Sequence, residues 1–139
     1  MRGISLLLLG ATLVSCTTAP PPPGEAMRSP SGERAYASLL TGKVPGRPIS
    51  CLPNYNANDM SVIDGRTIAF RVGTRTVYLV HLSEGCGLLG AGNYALLSKQ
   101  FGGTGICRGD IQQVVDTMNH MTVGSCTVAD VVPYSRAGR

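Results

Sequence analysis

The sequence predicts a mainly β fold: a small antiparallel β-barrel or sandwich, stapled by two disulfides, with one short helix on its N-terminal side. Three observations lead there. From residue 49 onward apolar residues recur with period two, which places alternate side chains on opposite faces of a strand. Glycine-rich turns bound those runs every 8 to 15 residues, and 18 glycines in all fit tight β-turns. Cys51, Cys86, Cys107 and Cys126 form an even set within the same stretch.

The elements follow in chain order. Residues 33–42 predict a short helix, with Tyr36, Leu39 and Leu40 at i, i+3 and i+4, Ser31 as its cap and Gly42 as its stop. Val44-Pro45-Gly46-Arg47-Pro48 is turn chemistry. The β-domain is expected over residues 48–134. Ile49 to Leu52 would be its first strand. Ser61-Val62-Ile63 runs into Asp64-Gly65, a hairpin turn. Thr67 to Val72 alternates, with Ile68, Phe70 and Val72 inward and Ala69 and Arg71 outward. Gly73-Thr74-Arg75 makes a three-residue loop. Thr76 to Leu82 is apolar on both faces, as a central strand covered on both sides would be. Tyr94 to Lys99, Ile111 to Asp116 and Thr127 to Tyr134 complete the series, with Gly102-Gly103-Thr104-Gly105 as a loop and residues 135–139 as a disordered tail.

The N-terminal 15 residues stand apart. Met1-Arg2 is a positive start, and Ile4 to Val14 is an apolar run of 11 residues. That is too short for a transmembrane helix, which needs roughly 20, and suits a signal-peptide core. Leu13-Val14-Ser15-Cys16 resembles the lipobox of bacterial lipoproteins. The resemblance implies diacylglycerol on the Cys16 sulfur, cleavage before Cys16 and acylation, typically with palmitate, of the new amino terminus. Thr17 rather than Asp follows the cysteine, which favours the outer membrane with the domain facing the periplasm. Residues 16–32 then read as a proline-rich, disordered tether, with Pro20 to Pro23 favouring an extended polyproline II spacer.

At 139 residues and 14.5 kDa, a multidomain enzyme or a polytopic membrane protein is excluded. With 5 Tyr, 2 Phe and no Trp, a large base-stacking surface is not expected. Residues 48–134 hold five basic and six acidic groups, so the positive excess lies in the flanks. A nucleic-acid binder needs a basic face on the domain itself, so no nucleic-acid partner is expected. Basic flanks beside an anionic bilayer, or solvated termini, account for the pI near 9.

In an oxidising compartment the four remaining cysteines read as two disulfides. Three connectivities are open. Cys51–Cys126, joining the start and end of the domain, with Cys86–Cys107, closing a hairpin, is the favoured pairing. Gaps of 35, 21 and 19 positions match no zinc-ribbon spacing, so no metal site is assigned. No noncovalent cofactor is assigned either. The acyl groups on Cys16 would be covalent.

No catalytic residue can be named. Arg108-Gly109-Asp110 reads as a turn, and the glycine-rich runs lack GK[ST]. There is no GxSxG or HExxH. His81 sits in a strand among apolar neighbours, and His120 lies in Thr117-Met118-Asn119-His120-Met121, an exposed tip between strands. Asp110 and Asp116 would share a strand face about 20 Å apart, too far for a glycosidase pair.

From Ser38 to Tyr134 the stretches LLTGKVPGRPISC, VIDGRTIAFRV, HLSEGC, ICRGDI and GSC resemble small, cysteine-containing, exported proteobacterial proteins grouped as a domain of unknown function. The resemblance implies a periplasmic β-rich domain and transfers no activity. The expected function is a lipid-anchored, non-enzymatic binding or envelope-assembly module, anchored in the membrane and meeting an envelope protein partner. The alternatives are a small hydrolase or small-ligand carrier using His81 with groups assembled by the fold, and a purely structural envelope protein.

Overall fold

A serine before a proline starts the first helix. In a computed structural model, which describes residues 28–53, 55–99 and 105–137, helix α1 spans Pro30–Leu40. The signal segment, Cys16, most of the tether, residues 102–104 of the glycine loop and the last two residues lie outside the described residues. The Ser29 side chain accepts the Gly32 N–H at 3.1 Å, and Pro30 lies just inside the helix, where its missing N–H costs nothing. The helix therefore starts three residues before the expected position, with Ser29 rather than Ser31 as cap. It ends at Thr41, followed by Gly42 at φ +69°. Lys43 Nζ donates to the Leu39 carbonyl at 2.6 Å, satisfying an end the helix itself leaves open.

The remainder is an antiparallel sheet curled into a half-barrel, so the fold is mainly β. Its strands are β1 (Lys43–Pro45), β2 (Met60–Asp64), β3 (Thr67–Val72), β4 (Thr76–Leu82), β5 (Tyr94–Lys99), β6 (Ile111–Asp116) and β7 (Thr122–Arg136). The order is β2-β3-β4-β7-β6-β5, with β1 added beside β7. β7 has 15 residues: its first part pairs with β6 and its later part with β4 and β1. Register shifts at Val62/Asp64, His81/Leu82 and Val114/Val115 break the ladders. Such irregularities sharpen twist and bend a sheet towards closure.

Two apolar layers result. The concave face encloses Leu52, Ile68, Phe70, Val80, Val114, Val128 and Val131, with Tyr55 set edge-on to Phe70. On the other face α1 lays Leu39, with Ala35, Tyr36 and Leu40, over Ile63, Ala69, Val77 and Leu79. β4 is thus covered on both sides, as its sequence predicts. Gly32 touches the Ile63 carbonyl so closely that a Cβ there would overlap it, and this lets α1 settle onto β2. Helix cover also explains why Ala69 is buried, while Val72 lies beyond both layers and is exposed, against the simple alternation.

Several segments differ from expectation. Val44 and Pro45, expected as part of a turn, lie in β1 because they pair with Ser135 and Tyr134, and that pairing carries β7 on through Ser135 and Arg136, the start of the expected disordered tail. Ile49 and Cys51 form isolated bridges, to Val131 and Cys107, rather than a strand. The last strand begins at Thr122, five residues early.

The four cysteines of the β-domain are in disulfides, but the pairing is Cys51–Cys107 and Cys86–Cys126, not Cys51–Cys126 and Cys86–Cys107. Backbone pairing decides it. Leu52 N–H donates to the Ile106 carbonyl and Arg108 N–H to the Ser50 carbonyl, both at 2.7–2.8 Å, which sets Cys51 opposite Cys107. Cys86, in the connection after β4, lies across β7, where Gly85 abuts the Ser125 carbonyl next to Cys126. Cys86 and Cys107 do not flank a simple hairpin, because β5 runs between them. The sequence separations of 56 and 40 make each bridge worth about 4 kcal/mol in the chain-entropy picture.

Candidate functional site

The fold brings together one pair with acid–base character. His81 on β4 stands directly opposite Asp130 on β7, and Nδ1 lies 2.6 Å from Oδ1. A carboxylate only accepts, so the Nδ1–H donates and Nε2 is left as the free nitrogen. The side chains are 36% and 39% exposed. They occupy the helix face of the sheet, one row past the Leu79–Val132 row. His81 is therefore neither packed in the core nor isolated; it is an edge-of-cover histidine held by a carboxylate.

What surrounds the pair limits its chemistry. Thr67 is in register with His81 on β3, and no hydrogen bond joins them among the described residues. Further along the same face Tyr134 packs with the layer under α1. Burial pushes its phenol above the ordinary tyrosine range, the Tyr36 phenol adds to this by charge and hydrogen bond, and the Arg28 guanidinium opposes it. Arg28 itself stacks over the Tyr36 ring at 4.0 Å and donates from Nε to Asp64 Oδ2 at 3.0 Å.

A cleft of about 420 Å³ opens elsewhere, at the start of α1, between Gly32, Val62, Asp64, Leu89 and Gly90. His81 is not among the residues lining it. The Asp64 carboxylate in its wall accepts from Arg28 and from the Arg66 backbone N–H, so the cleft carries no free base of its own among the described residues.

The other sequence candidates have turn roles. Asp110 Oδ2 accepts the Cys107 N–H at 2.7 Å, and Gly109 takes φ +89°, so Arg108-Gly109-Asp110 is a turn. Asp116 Oδ1 accepts the Met118 N–H in the β6–β7 turn. His120 sits at that exposed tip with φ 60°. Among the described residues no three His, Cys, Asp or Glu side chains gather as a metal site would require. Cys16 lies outside the described residues.

Two features escaped the sequence reading. Gln112 on β6 is fully buried, and among the described residues neither its amide oxygen nor its nitrogen has a partner; the Ser98 hydroxyl opposite it is likewise unpaired among them. The second is a basic end. Arg136 on β7 is in register with Lys43 on β1, and Arg71 and Arg75 flank the β3–β4 loop at the same end. Counting charges by segment hid this cluster, because Lys43 and Arg136 belong to the flanks in sequence and to the sheet in space.

The site and fold together define a disulfide-bonded, half-barrel β-domain with a helix on its convex face. Comparison with protein-family models, with curated proteins and with solved structures finds no match.

Proposed function

We propose that this chain is a lipid-anchored, periplasm-facing β-domain that works as a non-enzymatic binding or envelope-assembly module. In this reading Cys16 carries the acyl groups and holds the chain in the outer membrane. The observation that best supports a binding role is a cluster of four cations at one end with no carboxylate partner among the described residues, of which Arg71, Arg75 and Arg136 remain uncommitted while Lys43 closes the end of α1. A scaffold fixed by two disulfides presents such a surface in constant geometry.

Cross-linking in living cells, followed by purification from membranes and mass spectrometry, tests the reading. A discrete partner is expected with the wild type and is lost in a detached, still-folded variant. Recovery of the same abundant neighbours with both would overturn it. Fully processed Cys16→Ala protein in the soluble periplasm would refute the lipid anchor separately.

The 2.6 Å contact of His81 with Asp130 favours a second reading, a small hydrolase or ligand carrier. A hydrolytic activity on small esters that vanishes in both His81→Ala and Asp130→Asn, with unchanged melting temperature, would establish it.

A further inference from the structure

We propose that the basic end of the domain docks on an anionic phospholipid surface. The cations are arranged by the sheet. Arg71, Val77 and Tyr134 are successive cross-strand neighbours, so they share one face. Arg136 is two residues past Tyr134 on that face, and Lys43 is its direct partner on β1. Arg75 precedes Thr76, which pairs with Ser135. Neighbouring strands are about 4.8 Å apart, so these positive groups stand abreast at the rim. Like charges directly opposite each other disfavour a sheet. Yet no ion pair relieves any of the four among the described residues; Lys43 is engaged by the Leu39 carbonyl at the end of α1, which leaves Arg71, Arg75 and Arg136 as the uncommitted charges. Asp59 precedes Met60, the partner of Phe70, but forms no ion pair with Arg71.

A second observation selects the ligand. The same rim exposes two valines, Val44 at 52% and Val72 at 36%. They lie in one row, Val72–Thr76–Ser135–Val44, on the opposite face from Arg71. A soluble phosphate polymer would use the cations and leave the valines in water. A bilayer surface uses both: phosphate headgroups for Arg and Lys, and the headgroup–acyl boundary for the apolar side chains.

The other end is less suited. Leu88, Met118 and Met121 are exposed there, near the point where Arg28 enters the domain. There Arg28 and Arg66 are already paired with Asp64 and Glu84, and Asp116 adds a carboxylate with no cation on it, so among the described residues that end offers an anionic surface no uncommitted positive charge. Choosing an adjacent bilayer rests on the proposed anchor at Cys16. Fully extended, residues 16–27 would reach about 40 Å, against about 16 Å for α1, so the anchor permits either end to face the membrane.

The test uses the full processed chain purified from membranes. Its intact mass reads the anchor independently of docking. The protein is placed in vesicles of phosphatidylcholine alone, or with about one-fifth phosphatidylglycerol, and followed by hydrogen exchange. Expected is added protection at residues 43–45, 71–76 and 134–136 with phosphatidylglycerol only. It should disappear in Arg75→Glu/Arg136→Glu, survive in Arg75→Lys/Arg136→Lys, and fade as salt shortens the screening length from about 10 Å to about 3 Å. Unchanged exchange in β3, β4 and β6 shows that the charge-reversed chain is folded. Protection at residues 86–90 and 117–123 instead, equal protection on neutral vesicles, protection by soluble polyphosphate without vesicles, or none at all would each overturn the proposal.

Discussion

Gln112 concentrates the strain between residue chemistry and position. Its side chain occupies the concave face between Val114 and Cys126, an apolar setting, yet brings two polar atoms without partners among the described residues. An orphaned buried polar group costs about 1–3 kcal/mol. Gln112→Met keeps the length and removes both polar atoms, so it should raise stability by about 1 kcal/mol or more, read as a higher melting temperature. A lower one would show that the amide gains more from its contacts than its burial costs. Tyr134 gives a prediction of opposite kind. Its raised pKa means that the folded chain keeps the phenolic proton to higher pH than the unfolded chain does. The associated stability is complete below about pH 10 and is lost as pH rises through the folded value. Tyr134→Phe should flatten that alkaline decline in denaturant melts. An unchanged decline would place the titrating group elsewhere.

At the scale of elements, close approach outranks propensity. Replacing a helical glycine by alanine ordinarily stabilises by about 0.8–1.0 kcal/mol. At Gly32 the new methyl would collide with the Ile63 backbone carbonyl, which cannot step aside as a flexible side chain could. Gly32→Ala is therefore expected to destabilise, and thermal melts should show a loss where peptide helicity alone would predict a gain. The same distinction explains what was legible in the sequence. β3, β4 and their loop were readable because Ile68, Phe70, Val77, Val80 and the Gly73 turn carry local pattern. The double cover of β4 was readable too, because both of its faces are apolar. Val72 and Ala69 were misread because which face α1 covers, and how far, is not a local property. The disulfide pairing failed for a related reason: Cys51 meets Cys107 through backbone bonds between segments more than 50 residues apart, and no spacing rule encodes those. His81 was visible as a histidine among apolar residues, but its carboxylate partner 49 positions away was not. The basic end was invisible because Lys43 meets Arg136 only across the β1–β7 ladder.

For the whole molecule, β7 is the organising strand. It lies between β4 and β6 in the sheet order, carries β1 on its later part and holds Cys126 of one disulfide. Its later half supplies partners for Thr76 through Leu82, and Val131 and Val128 close the concave core. Until these C-terminal residues are in place, β4 has an open edge and the two halves of the sheet are not joined. Long-range pairing of this kind makes the fold an all-or-none construction rather than a series of independent hairpins. A chain ending after Asp130 would lose Val131, Val132 and Tyr134, and with them the seat of β1 and part of the layer beneath α1. Such a chain is expected to be cleaved rapidly in limited proteolysis and to fall to low steady-state abundance. A chain ending after Ala137 keeps every pairing of β7 and should resist protease like the full chain. Equal resistance of both truncations would show that the β2–β3–β4 and β5–β6 segments fold without their common strand, and would remove β7 from the centre of the architecture.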